Sequence, residues 1–334
     1  MRQSNIKLEE EYNQLSEEKK HLKIDLRGCL EKQNSSIVHS IILEDKIKES
    51  FYRKLNKIKL DPYTKYDHIK TIIEKSNLHK EIFPSLSFQK DNVPIIFIQN
   101  LPIDHNLIDT PLDDCYCPNK ERTTEKVLLT LTTALEIPPY INMDEKGNSV
   151  IQNIVPIKGK EFELSGASSL VTFNWHTENV HEASPADYFI LSALRGDKNA
   201  FTSIMLVQDI VKAIPKSMIK ELLKTSFIMR TGPTYIKEIN FMRPILSMDE
   251  KGNYDMHYNS DINRCIPINS FGENLYMHLQ HYIKEKVPSY AVSLRPGEAM
   301  IINNKKALHK RDAFEVSTSV AERRWLQVVY LKKI

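Results

Sequence analysis

Apolar residues at Leu8, Tyr12, Leu15, Leu22, Leu26 and Cys29 follow a heptad spacing, with Lys19 as the one polar intruder. That pattern predicts an amphipathic helix over about residues 5–31. Three heptads with a lysine in the seam are marginal for a coiled coil. The helix therefore reads as lying on its own domain, with a homodimer arm as the alternative. Residues 40–58 and 65–80 predict further helices, so residues 1–90 are expected to form a helical N-terminal extension packed on the core. The character changes at Val93. VPIIFI is a short apolar run and predicts a buried strand, and KVLLTLTTALEI (126–137) predicts a buried helix stopped by Pro138 and Pro139. Beyond it, VIQNIV, SSLVTFNW, DYFILSAL, FTSIMLV, TSFIMR, YAVSL, GEAMII and RWLQVVYL predict strands, interrupted by a helix at LYMHLQHYIKEK (275–286). Many short strands between turns point to a barrel or sandwich over residues 91–334, not to a doubly wound sheet.

Composition narrows the function classes. The chain has 334 residues and 41% hydrophobic content, enough for a sizeable core. A net charge of +3, with acids and bases interspersed, gives no case for a nucleic-acid or anionic-membrane partner. No apolar run reaches the roughly 20 residues of a membrane helix, and the N-terminus lacks the apolar core of a signal peptide. Nine glycines leave little room for a phosphate-cradling loop. Cys29, Cys115, Cys117 and Cys265 show no zinc-site spacing and read as free thiols of a reducing cytoplasm.

The candidate chemistry begins in FNWHTENVHEAS (173–184). On a strand His176 and Glu178, two residues apart, would share a face and could offer two ligands to one metal. A third ligand is available late in the chain. After the Pro296-Gly297 turn and the GEAMII strand comes His309, and Arg324 opens the next apolar strand. Two histidines and a carboxylate form the facial triad of non-haem Fe(II) oxygenases. A guanidinium fork suits a dicarboxylate cosubstrate.

WHTENVHEASPADYFILSALRG, AFTSIM, RPGEAMIINNKKALHKR and RRWLQ together resemble the clavaminate synthase-like Fe(II)/2-oxoglutarate oxygenases, a group that includes arginine, asparagine and lysine hydroxylases. The resemblance covers about residues 90–334. It implies a double-stranded β-helix (jelly-roll, cupin-like) core with flanking helices, in an α+β or mainly β chain. It implies that His176, Glu178 and His309 hold Fe(II), that Arg324 grips 2-oxoglutarate, and that Thr202 assists. The family's usual spacing points one residue earlier, at Arg323, while the Trp-Leu-Gln context favours Arg324. Glu178 stands where related halogenases carry a small residue, so the implied reaction is hydroxylation by O2, with succinate formed from 2-oxoglutarate.

The substrate is expected to be a small molecule, an amino acid or a derivative of one. The family's substrate-carboxylate arginine falls at Val328 here, leaving Arg195, Arg230, Arg243 and Arg264 as candidate replacements. Ser168 and Gln152 are expected to meet the substrate backbone, and Asp261 a cationic side chain, which makes lysine the first choice and arginine the second. A derivatised or carrier-bound amino acid is the alternative, and a non-catalytic scaffold is the alternative of another class. His181 reads as a surface histidine or as a group behind the ligands. His278 and His281 read as a helix face. Tyr254, His257 and Tyr258 are candidates for the pocket entrance, and Glu163 and Glu182 read as solvated.

Overall fold

Side chains along the strand Tyr188–Arg195 alternate between two interiors, as the two-residue period of a strand demands. Tyr188 and Ile190 enter one apolar cluster, whereas Phe189 and Leu191 enter another. That strand sits inside the larger of two sheets in this computed structural model, which describes residues 22–31, 36–91, 93–113, 117, 119–141, 149–232 and 235–333.

The larger sheet runs Val38–Ile42, Ile95–Gln99, Ala299–Asn303, Tyr188–Arg195, Trp325–Leu331 and Pro139–Tyr140, with Gln152–Ile154 also paired to Trp325–Leu331. The smaller runs Lys23–Asp25, Ser289–Val292, Thr202–Leu206, Ala307–Arg311 and Phe173–His176. Their facing sides share a core that includes Phe189, Leu191, Ile204, Leu206, Ile302 and Val328. On the far side of the larger sheet lie the helices Asp45–Asn56, Tyr66–Lys75 and Thr123–Leu135. Every residue of Thr123–Leu135 is buried; Thr130 and Thr133 donate to carbonyls of the helix itself and Glu125 pairs with Lys120. The helices Val207–Ala213, Lys216–Leu222 and Ser270–Glu285 cover the outer face of the smaller sheet through a second cluster. The result is a jelly-roll core between two helical layers.

Several expectations change. The helix anticipated over 5–31 is a strand at Lys23–Asp25, paired parallel with Ser289–Val292, followed by a short helix at Leu26–Glu31. The positions up to residue 21 lie outside the described residues, and so does the homodimer arm. Val38–Ile42 pairs parallel with Ile95–Gln99. The stretch before residue 90 is thus not helix alone, since it adds an edge strand to each sheet. The Pro296-Gly297 turn forms as expected. Gly297 has φ +75° and its α-carbon abuts the Leu101 carbonyl, where a side chain would clash at 2.7 Å.

Candidate functional site

The strand Phe173–His176 ends at His176, and Glu178 lies in the turn that follows. The shared-face argument for these two residues therefore does not hold, and the turn itself brings them together. Asn304 clamps that turn: its Oδ1 accepts from the Glu178 N–H (2.8 Å) and its Nδ2 donates to the Glu178 carbonyl (3.1 Å). Asn179 follows in the left-handed region, at φ 56°, a conformation asparagine tolerates better than most residues. His309, on Ala307–Arg311, is the register partner of His176 across the smaller sheet.

Candidate ligand atoms of His176, Glu178 and His309 all lie within 4.8 Å of one another. His309 Nε2 is 2.9 Å and His176 Nε2 3.7 Å from Glu178 Oε1. Nδ1 of His176 is 2.6 Å from the Asn174 carbonyl, so it carries the proton and leaves the Nε2 lone pair toward the cluster. That buried Nε2 has no hydrogen-bond partner. Burial alone would raise the Glu178 carboxyl, but the adjacent imidazoles of His176 and His309 hold it well below the usual carboxylate range. Burial, reinforced by His176, lowers His309. Two imidazoles around a carboxylate are a donor set that fits a divalent transition metal.

Arg324 opens into the same cavity as the triad and is 6% exposed. Its guanidinium has no hydrogen-bond or ion-pair partner among the described residues. Burial and the neighbouring Arg311 pull it down to about 9, so it stays charged at neutral pH. Thr202 lines the cavity beside Arg311, its register partner. Arg323 points elsewhere: its Nε donates to the Ser317 carbonyl (3.0 Å), and its own carbonyl accepts from Thr110 (2.7 Å). Of the two arginines, Arg324 is the one that faces the candidate metal cluster.

The cavity has a volume of about 920 Å³. Gln152 and Val328 are register partners across adjacent strands and both line it. Ser168, expected to meet substrate, is buried and serves Arg311 instead: its Oγ accepts from Arg311 Nη2 (2.7 Å) and donates to the Ser165 carbonyl (2.9 Å). Asp261, expected to meet a cationic side chain of the substrate, is not among the residues that line the cavity. It accepts from the Asn263 N–H (2.9 Å) and pairs with Arg264 (3.6 Å). Arg230 and Arg264 line the cavity, whereas Arg195 donates to Thr110 and Leu107, and Arg243 to the carbonyls of Glu182 and Ala183. His181 is not on the surface. It is 4% exposed in the cavity wall, and burial lowers its pKa to about 4. Tyr258 is fully buried in the outer helical cluster, away from any entrance. Glu182 is not simply solvated: it accepts from Tyr140 and Asn179.

Beneath the cavity floor lies a network with no sequence motif to announce it. Lys120 Nζ bonds Asp104 (2.6 Å) and Glu125, and all three side chains are completely buried. Glu125 also accepts from Gln327 Nε2 (3.1 Å) and from the cavity-lining Tyr63 (3.3 Å). Gln327 and Trp325 both donate to Asn153 Oδ1 (3.1 and 2.9 Å). Asn153 also lines the cavity, so this network braces the strand that follows Arg324.

Residues 122–330 match the model of the taurine catabolism dioxygenase TauD, TfdA family. The chain is 25% identical over 254 residues to the L-asparagine oxygenase of Streptomyces coelicolor, covering 73% of each protein. It is 26% identical over 184 residues to the L-lysine 3-hydroxylase of Catenulispora acidiphila, covering 52% of this chain and 49% of that one. The fold is similar to that of the non-heme iron oxygenase OrfP solved with Fe and alpha-ketoglutaric acid, with a TM-score of 0.73 at 18% identity over 89% of this chain and 94% of that one.

Proposed function

The chain belongs to the TauD/TfdA dioxygenase family, enzymes dependent on Fe(II) and 2-oxoglutarate, and from that premise we propose that it hydroxylates a C–H bond of an amino acid or amino-acid derivative. The observation that supports this reading is the convergence of His176, Glu178 and His309 in a cavity that also holds Arg324, a buried arginine with no hydrogen-bond or ion-pair partner among the described residues. His176, Glu178 and His309 would hold an Fe(II) ion, which would supply the chemistry that joins oxidative decarboxylation of 2-oxoglutarate by O2, giving succinate and CO2, to insertion of one oxygen atom into the substrate. The Asn174 carbonyl keeps the His176 proton on Nδ1. The Arg324 fork takes the far carboxylate of 2-oxoglutarate in two parallel hydrogen bonds, with the Thr202 hydroxyl beside it. Phe189, Leu191 and Val328 give the cavity an apolar wall that excludes water.

The expectation of lysine, then arginine, as substrate rested on Asp261, which is committed to Arg264 and Asn263. The carboxylates that line the cavity are Glu163 and Glu178, and Glu178 belongs to the triad, so the described wall offers a cationic side chain little. The alternative of a derivatised amino acid is favoured by the cavity's size, near the upper end of the roughly 300–1,000 Å³ usual for small-molecule sites. The test is succinate release with product mass, using protein supplied with Fe(II), ascorbate and 2-oxoglutarate, against free and N-acylated amino acids. Turnover giving a product heavier by one oxygen supports the proposal. Retained substrate-dependent turnover in His176→Ala or His309→Ala would remove the triad assignment.

A further inference from the structure

Cations dominate the charged lining of the cavity: Lys160, Arg230, Arg264, Lys310, Arg311 and Arg324, against Glu163 and the triad's Glu178. Most of these cations are already engaged. Arg311 donates to Ser168 and to the Val171 carbonyl (2.9 Å). Lys310 pairs with Asp312 (2.9 Å). Arg230 bonds Asn240 (3.2 Å), pairs with Glu238 (3.5 Å), and has a side chain 40% exposed. Arg324 is assigned to 2-oxoglutarate by the function proposed above.

Arg264 differs because its guanidinium has a built seat. Gly232 lies directly beneath it: a β-carbon at position 232 would come within 2.7 Å of Arg264 Cζ and 2.8 Å of Nη1. The Phe173 ring lies on the cavity side, its centroid 6.0 Å from Cζ. Nε faces Asp261 (3.6 Å), and Nη2 donates to the Leu164 carbonyl (2.8 Å). Nη1 has no hydrogen-bond partner among the described residues. The side chain is 14% exposed. A planar cation, held by a glycine, an aromatic ring, an acid and a carbonyl, thus presents an open donor edge to the cavity.

We infer that Arg264, seated on Gly232, binds a carboxylate of the substrate and so fixes which C–H bond meets the iron. This inference rests on the function proposed above. A carboxylate suits the site because guanidinium binds it through parallel charge-assisted hydrogen bonds, and a half-buried cation with an unused donor favours an anion over a neutral group. The contact to Leu164 also ties the loop between Ile154 and Phe173 to the same guanidinium, so a bound carboxylate and that loop share one anchor.

The experiment first measures 2-oxoglutarate binding to the Fe(II)-loaded wild-type protein without oxygen. Absence of binding removes the proposed function, and this inference with it. With binding present, kcat/KM for succinate release is compared between the best amino-acid substrate, its α-carboxamide and, where it has a side-chain carboxyl, its side-chain amide. Loss with the α-amide assigns Arg264 to the α-carboxylate, and loss with the side-chain amide assigns it to the side chain. Arg264→Gln is expected to lower kcat/KM for the acid by roughly 30- to 1,000-fold, with partial recovery in Arg264→Lys. Gly232→Ala keeps every charge but displaces the guanidinium, and is expected to cost roughly ten- to a hundredfold with an unchanged melting temperature. Equal turnover of acid and amides, or wild-type kcat/KM in Arg264→Gln, would overturn the assignment while leaving the oxygenase function standing.

Discussion

Replacing Arg324 by methionine should make the resting protein more stable and unable to use its cosubstrate. Arg324 is 6% exposed, its guanidinium has no hydrogen-bond or ion-pair partner among the described residues beyond the Phe314 ring 5.8 Å away, and it lies near Arg311. An unpaired buried charge costs several kcal/mol, and relaxation and water penetration reduce what appears in unfolding to about 1–3 kcal/mol. Methionine fills similar space without that cost. Unfolding entropy is about 2.1 cal/mol/K per residue, which over 334 residues comes to about 0.7 kcal/mol/K. The cosubstrate-free melting temperature should therefore rise by roughly 1.5–4 °C in Arg324→Met. 2-Oxoglutarate at a hundred times its Kd stabilises the wild-type protein by about 2.7 kcal/mol, or roughly 4 °C on the same scale. Losing one partner of a buried charge pair removes about 2–5 kcal/mol of binding, so that shift should vanish in the variant. The assay is thermal unfolding of Fe(II)-loaded protein under anaerobic conditions, with and without 2-oxoglutarate. Arg323→Met, which loses one bond to Ser317, should move neither temperature by more than about 1 °C. A fall in cosubstrate-free stability in Arg324→Met would refute the unpaired-cation argument, and a retained 2-oxoglutarate shift would place the clamp elsewhere.

Lys120→Met should destabilise the protein by about 3–5 kcal/mol in urea unfolding, because it leaves Asp104 and Glu125 buried without their shared cation; a loss below 1 kcal/mol would mean that water or a rearranged Arg122 compensates. His181 titrates near 4 when folded against 6.5 when unfolded. Between those values the unfolded chain holds the extra proton, so stability contributed by this group is full above about pH 6.5 and falls as pH drops toward 4. Metal-free His181→Gln should show a shallower acid loss than wild type across that window, and an identical slope would contradict burial of a neutral imidazole. Val328→Arg places a new cation beside Gln152 and should change the substrate ranking in the succinate assay; an unchanged ranking would show that this wall does not touch substrate.

Much of the strand order of chemistry was legible in the chain. The apolar runs of DYFILSAL and RWLQVVYL predicted the strands at Tyr188–Arg195 and Trp325–Leu331, and KVLLTLTTALEI predicted a buried helix. Missed were the strand Ala307–Arg311 and the helices Val207–Ala213 and Lys216–Leu222. ALHKR mixes one apolar pair with three polar residues because its polar side chains face a cavity instead of solvent, so no two-residue period marks it. The strand Lys23–Asp25 was hidden for a different reason. Three residues are too few for a periodicity, and the parallel partner that makes them a strand is Ser289–Val292, far along the chain.

The sequence by itself determined which residues could do the chemistry: the His176-Thr177-Glu178 triplet, a distal His309 and an arginine before Trp-Leu-Gln, because ligand types and their context are local properties. Only the tertiary structure put Arg324, and not Arg323, on the cavity wall, since adjacent residues differ in where the backbone aims them and not in chemistry. It likewise engaged Ser168 with Arg311 and Asp261 with Arg264, buried His181, and seated Arg264 on Gly232. Ser168 and Arg311 lie 143 positions apart, and such pairing leaves no mark on the sequence near either residue; Asp261 and Arg264 are neighbours in the chain, but which of them lines a cavity depends on the strands packed around them.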